Sequence, residues 1–142
     1  MLSPRSHLAL AGLTGVLLAI SSAFAQNMTF NAQLKGASEV PPTDSAGTGN
    51  AQVTVDTGDK KISWTMTFSG LTGNPTAAHF HGPAGPGENA PPVIDISGNI
   101  RSGSADVTDQ QLADLQAGKL YVNIHTAKFP DGEIRGQVQT AP

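Results

Sequence analysis

The chain contains no cysteine. That one absence excludes disulfides, thiolate metal sites and cysteine nucleophiles. Charge is scarce as well: Asp, Glu, Lys and Arg make up 13 % of residues, no long basic run exists, and the formal net charge is −3. A protein of this balance lacks the positive face that nucleic acid requires, so no nucleic-acid partner is expected. Gly (16) and Pro (10) follow no G-X-Y period, which excludes collagen. The charge is too low for a highly charged disordered chain. What is left for 142 residues is one domain of ordinary size, rich in turn formers, which fits a β-rich fold.

The first 25 residues read as a leader. A short polar segment carrying Arg5 precedes an apolar run from Leu8 to Ile20, interrupted only by Thr14, and Ala23-Phe24-Ala25 supplies the A-x-A cleavage pattern. This is the layout of a secretory signal peptide over residues 1–25. The apolar run is shorter than the roughly 20 residues a spanning helix needs, so no membrane span is expected once the leader is removed. The mature domain covers residues 26–142, is exported to the periplasm or secreted, and takes its stability from a packed core without disulfides, with possible help from a bound ion.

The mature chain alternates like a sheet protein. Met28, Phe30, Ala32 and Leu34 alternate with polar residues, as do Ala51, Val53 and Val55. Ile62, Trp64, Met66 and Phe68 form the clearest run, and Thr57-Gly58-Asp59-Lys60 supplies a turn between the last two segments, predicting a hairpin. A short strand follows at residues 77–81, an irregular loop at 82–92, and a strand at Val93, Ile94 and Ile96. Thr108 can cap a helix over residues 109–115, with Gln111 at capping-box spacing and Gly118 as its stop. Leu120, Val122 and Ile124 pair with Ile134 and Val138 across Pro130-Asp131-Gly132 as a second hairpin. Seven or eight short strands predict an all-β antiparallel sandwich or barrel with at most one short helix.

Chemistry concentrates on the three histidines of the mature chain. His79 and His81 are two apart and share one face of a strand, with Phe80 on the other. His125 is in phase with Tyr121 and Asn123 and opposite to Leu120, Val122 and Ile124. Three neutral imidazoles converging from neighbouring strands suit copper or zinc, with a coordination position left open. Copper is expected over zinc because it leads the affinity series for nitrogen sites. The bland alternative is a hydrogen-bonded cluster beneath the 82–92 loop. Glu39 and Glu133 are a possible carboxylate pair, Arg135 beside Glu133 reads as a solvated or structural ion pair, and Glu39-Val40-Pro41-Pro42 reads as the end of the first strand. Asn123 and Thr126 are expected to hold a turn or orient a histidine. Trp64 is expected in the core. No nucleophile-elbow or phosphate-cradling motif is present.

Several segments together resemble one family. They are Phe30-x3-Leu34-x-Gly36, Ser38-Glu39-Val40-Pro41-Pro42, Gly47-Thr48-Gly49, Gly70-Leu71-Thr72, Ala77-Ala78-His79-Phe80-His81-Gly82-Pro83-Ala84, Leu120-Tyr121-Val122-Asn123-Ile124-His125-Thr126 and Phe129-Pro130-x-Gly132-Glu133-Ile134-Arg135-Gly136-Gln137. Over about residues 28–139 the chain resembles the CHRD domain, named after its occurrence in chordin. The resemblance implies an exported β-sheet domain of bacterial and animal extracellular proteins, with an interaction role rather than catalysis. A weaker likeness runs to copper/zinc superoxide dismutase, which also places an H-x-H pair before a long Gly-rich loop and a further histidine late in the chain. Here no histidine follows His81 in that loop, so a zinc subsite and a bridging imidazole are missing, as are the family's cysteines.

Three functions follow as expectations. The first is a binding module in which His79, His81 and His125 hold copper, or zinc, for sequestration or delivery outside the cytoplasm. The second is a metal-free extracellular or periplasmic domain that binds a protein partner through the 36–49 and 82–92 loops. The third, a superoxide dismutase-like enzyme, is disfavoured by the missing fourth histidine, and the chain is expected not to be an enzyme.

Overall fold

The computed structural model describes residues 25–142; the leader read from the sequence lies outside the described residues, save Ala25. Nine strands and one helix follow in order: β1 (Asn27–Lys35), β2 (Thr48–Asp56), β3 (Lys61–Ser69), β4 (Pro75–His81), β5 (Pro92–Asp95), β6 (Ser102–Asp106), α1 (Asp109–Gln116), β7 (Tyr121–Thr126), β8 (Ile134–Gln137) and β9 (Gln139–Thr140). All pairings are antiparallel, in the order β5-β4-β7-β8-β1-β2-β3-β6, with β9 beside β1. The sheet curls into a nearly closed barrel, the all-β architecture that the alternation predicts.

Alternation explains the curl. Phe30, Val53, Ile62, Phe80, Val122, Ile124, Ile134 and Val138 come from six strands and the step after β8, and all lie fully buried on the concave face. Trp64 on β3 meets Phe80 on β4 edge-on, with centroids 5.8 Å apart, joining the two halves across the core. The seam between β5 and β6 is bridged by the segment that connects them. The Trp64 indole donates to the Asn99 carbonyl at 2.9 Å, Met66 N–H to the Arg101 carbonyl at 2.8 Å, and Ile96 N–H to the Ala78 carbonyl at 3.0 Å.

Local signals fix the connections. In the β2–β3 hairpin Asp56 Oδ1 accepts from Gly58 and Asp59 N–H at 2.8 and 2.9 Å. Helix α1 carries the capping box: Gln111 N–H donates to Thr108 Oγ1 at 3.1 Å while Thr108 N–H donates to Gln111 Oε1 at 3.0 Å. It buries Leu115 and stops before Gly118, whose φ of +70° suits glycine. Strand β6 was not expected, because Ser-Gly-Ser-Ala-Asp carries no apolar alternation. It pairs with β3 where Gly103 sits opposite Trp64, and a side chain there would collide with the indole.

The connection from β1 to β2 is more than a link. After a single 3-10 turn (Gly36–Ser38) it folds back over β8, where Thr43 Oγ1 donates to the Glu133 carbonyl at 2.8 Å and Ser45 Oγ to Glu133 Oε1 at 2.6 Å. Residues 82–91 likewise return over β4 and β7. The outer face of β4, β7 and β8 is thereby covered.

Candidate metal centre

The register of the covered face places the histidines. His79 lies opposite Asn123, which lies opposite Arg135; His81 lies opposite Tyr121; His125 lies opposite Ala77. Alternation points all of these side chains outward, so His79 and His125 sit on a diagonal and the three rings meet. His79 Nδ1 is 3.2 Å from His125 Nε2, and one ligand nitrogen from each of the three histidines lies within 4.8 Å of the others. His81 is buried, while His79 and His125 are partly exposed, so the group opens to solvent on one side.

The other ring nitrogens are tied down. His81 Nδ1 lies 2.9 Å from the Ala90 carbonyl and His125 Nδ1 lies 2.8 Å from the Pro130 carbonyl. A carbonyl oxygen only accepts, so both Nδ1 atoms carry the hydrogen. In a neutral ring that leaves Nε2 as a bare lone pair. His79 turns Nε2 towards Asp95 Oδ1, too far at 3.8 Å for a hydrogen bond, and Nδ1 towards His125 Nε2. His81 and His125 therefore offer a lone pair to the same space and give their hydrogen to a carbonyl outside it, the arrangement found around metal-bound histidines, and His79 Nδ1 faces the same space.

Electrostatics keeps two of the rings neutral. Burial pushes the His79 imidazole below its usual range, His125 adds to this and Asp95 opposes it. Burial likewise lowers His81, against the upward pull of its bonds to Ala90 and Asn123. Neutral imidazole is the form a metal takes.

Around the rings lies a buried polar layer. Tyr121 stacks on His81 with centroids 4.7 Å apart and 5° between planes, and the Arg135 guanidinium carbon lies 3.4 Å from the centre of the Tyr121 ring. The Tyr121 hydroxyl donates to the Ala90 carbonyl at 3.1 Å, holding the oxygen that orients His81. Arg135 donates to Asn89 Oδ1 at 3.2 Å and to the Gly85 carbonyl at 3.1 Å, which pins the 82–91 loop. Asn123 Oδ1 lies 2.9 Å from His81 Nε2 and 3.0 Å from His125 Nε2.

Two sequence readings are corrected here. Arg135 and Glu133 are no ion pair and not solvated: both are buried, and they bind different partners. Glu133 receives Ser45 Oγ, Thr72 N–H, Thr72 Oγ1 and Thr126 Oγ1. Burial raises its carboxyl, but these bonds outweigh it and hold the group below its ordinary range. Glu39 does not merely close β1, which ends at Lys35. It turns inward and is 6 % exposed, and burial lifts its carboxyl to about 7 against the opposing pull of Arg135 and Asn123. Asn123, expected as an orienting residue, stands between Glu39 and the histidines. The sequence offered no signal for the Ala90 and Pro130 carbonyls, since any residue can supply one.

A family model described as the CHRD domain matches residues 30–138, and the chain belongs to that family. No curated protein and no solved structure matches it. The likeness to copper/zinc superoxide dismutase therefore stays with the few residues quoted for it. No helix among the described residues is long and apolar enough to cross a membrane.

Proposed function

We propose that this CHRD-domain protein is a metal-binding module that works outside the cytoplasm. It takes copper first and zinc second, through His79, His81 and His125, and it is not an enzyme. One observation carries this reading: three imidazoles turn one ring nitrogen each into one space while the Ala90 and Pro130 carbonyls occupy the opposite nitrogens of His81 and His125. The bare Nε2 atoms of His81 and His125 converge with His79 Nδ1 on a space that suits a cation. Protons are a poor candidate, because burial disfavours the charged form of His79 and His81. A divalent transition metal fits, and without cysteine the donor set favours copper(II) or zinc over soft copper(I). Sequestration or delivery of the ion is the role that this geometry supports.

The test is competition titration of the purified protein with copper(II) and zinc. One ion per chain is expected, with affinity falling by about a hundredfold or more in His81→Ala and His125→Ala, in line with the loss of a ligand or its orienting partner. Unchanged affinity in these variants would refute the reading. Copper-loaded protein should show little superoxide dismutation, since residues 26–142 hold no fourth histidine for a bridge. A catalytic constant near the diffusional ceiling of about 10⁸–10⁹ M⁻¹s⁻¹ would overturn the non-enzymatic assignment.

The second reading, a metal-free interaction domain, draws on a different contact. Asn89 Nδ2 donates to the Val40 carbonyl at 2.8 Å, so the two covering loops join into one rim. Native protein that carries a specific protein partner and no stoichiometric metal would favour it.

A further inference from the structure

We infer that the side-chain oxygen of Asn123 is a fourth ligand of the metal site and that Glu39 holds it in that orientation. The inference rests on the three-histidine reading and extends it, turning an open three-nitrogen site into a set of three nitrogens and one oxygen.

Hydrogen-bond counting leads there. Asn123 Oδ1 is an acceptor, and its near neighbours are His81 Nε2 at 2.9 Å and His125 Nε2 at 3.0 Å. A neutral imidazole has one N–H, and both rings have already given theirs to Ala90 and Pro130. These two short contacts are therefore acceptor against acceptor in the neutral rings. Asn123 is 2 % exposed, which leaves it little access to solvent. Two imidazolium ions side by side would resolve the contacts only by placing like charges together in a covered site. One cation between the three atoms resolves them all.

The separations fit such a cation. Ligand atoms about 2.0–2.2 Å from a metal stand about 2.9 Å apart at right angles and about 3.4 Å apart at the tetrahedral angle. The observed 2.9, 3.0 and 3.2 Å between Asn123 Oδ1, His81 Nε2, His125 Nε2 and His79 Nδ1 fall in this interval. The three contacts link the four atoms in sequence from His81 through Asn123 and His125 to His79, with the histidine nitrogens all within 4.8 Å of one another.

Glu39 selects the orientation of the amide. Its nitrogen faces the Glu39 carboxyl above Gly132, where any Cβ would collide with both groups. The φ of +130° at Gly132 demands glycine independently. With Glu39 ionised, the reversed amide would set oxygen against a carboxylate oxygen. Glu39 is thus a positioning residue: its carboxyl faces the Asn123 amide nitrogen and turns the carbonyl towards the ion. A set of three nitrogens and one oxygen in a tetragonal arrangement is typical of copper(II).

The test is pulsed electron paramagnetic resonance of the copper(II)-loaded protein grown with asparagine labelled with ¹³C at the side-chain carbonyl. A ¹³C hyperfine coupling from one carbon is expected beside the imidazole nitrogen couplings. It should vanish in Asn123→Leu, with copper affinity lowered about tenfold or more. Glu39→Gln, which keeps an acceptor oxygen, should retain the coupling, and Glu39→Leu should lose it. Imidazole couplings without any ¹³C coupling would overturn the inference and leave the three-histidine reading standing. Wild-type protein that binds no copper would overturn both. The labelled wild type decides the matter even where Asn123→Leu does not fold.

Discussion

The outward faces of the two halves of the barrel are written in the same alternating code and come to opposite ends. On β2 and β3 the outward positions are Gln52, Thr54, Ser63, Thr65 and Thr67, all exposed except the half-buried Thr54. On β4, β7 and β8 they include His81, Tyr121, Asn123 and Arg135, all buried. Polar alternation alone does not separate a solvated face from a covered one. The difference lies in what the loops do: residues 36–47 and 82–91 close over one face and leave the other bare. It lies also in the side chains. Short hydroxyls and amides suit water, whereas imidazole, guanidinium, phenol and carboxylate in one patch need each other, and here they find each other.

The contrast can be broken most sharply at Glu133. Replacement by Ala removes the acceptor of three hydroxyls and one N–H under the loops, so a loss of about 3 kcal/mol is expected in urea denaturation, from one buried and three part-buried bonds lost together. A loss below about 1 kcal/mol would mean that the loops leave this face open to water.

Glu39 gives the next largest effect, through pH. Its carboxyl titrates near 7 in the folded chain against an ordinary 4.5, so the folded state favours the proton. This contribution to stability is fully present below pH 4.5 and is lost as pH rises through 7. In metal-free protein Glu39→Gln should be the more stable form above pH 7, by about 3 kcal/mol, and the gap should close in acid. Equal pH profiles for the two proteins would place Glu39 in water.

Copper binding sharpens the comparison further. The imidazoles of His79 and His81 sit below their usual 6.5, so protons compete weakly for them at neutral pH. Affinity should hold from pH 8 to about 6.5 and then fall about tenfold or more per pH unit as the rings protonate. A steep fall already between pH 8 and 7 would contradict the covered setting of these rings. The smallest effect belongs to the bare face: Ser63→Ala and Thr65→Ala should change stability by less than about 0.5 kcal/mol.

Much of this was legible in the residues. The alternation at Phe30, Val53, Trp64 and Val122 gave the strands and the core, and the Thr108 and Gln111 pair gave the helix, because these signals are local. The in-phase positions of His79, His81 and His125 gave the cluster, and Asn123 followed from its phase. Strand β6 stayed hidden because its pairing depends on a glycine beside the Trp64 ring rather than on apolar periodicity. Glu39 and Glu133 were misread because their burial is imposed by loops that return from distant parts of the chain. The two carbonyls that orient the histidines carry no side-chain signature.

The pairing of β1 with the last two strands of the chain has a kinetic consequence. Lys35 faces Arg135 and Phe30 faces Thr140, so the first strand waits for the last. Contacts of such long sequence separation form slowly, because a large loop must close before they contribute. The β2–β3 hairpin and the β1–β2 ladder can assemble early from nearby residues, but one edge of β1 then stays bare, an invitation to strands of other chains. The segment that closes this edge is also the one that delivers Glu133 and Arg135 beneath the loops. Ring closure and maturation of the histidine pocket are therefore a single late event, and a chain arrested before residue 134 would expose a sticky edge and lack a competent pocket at the same moment.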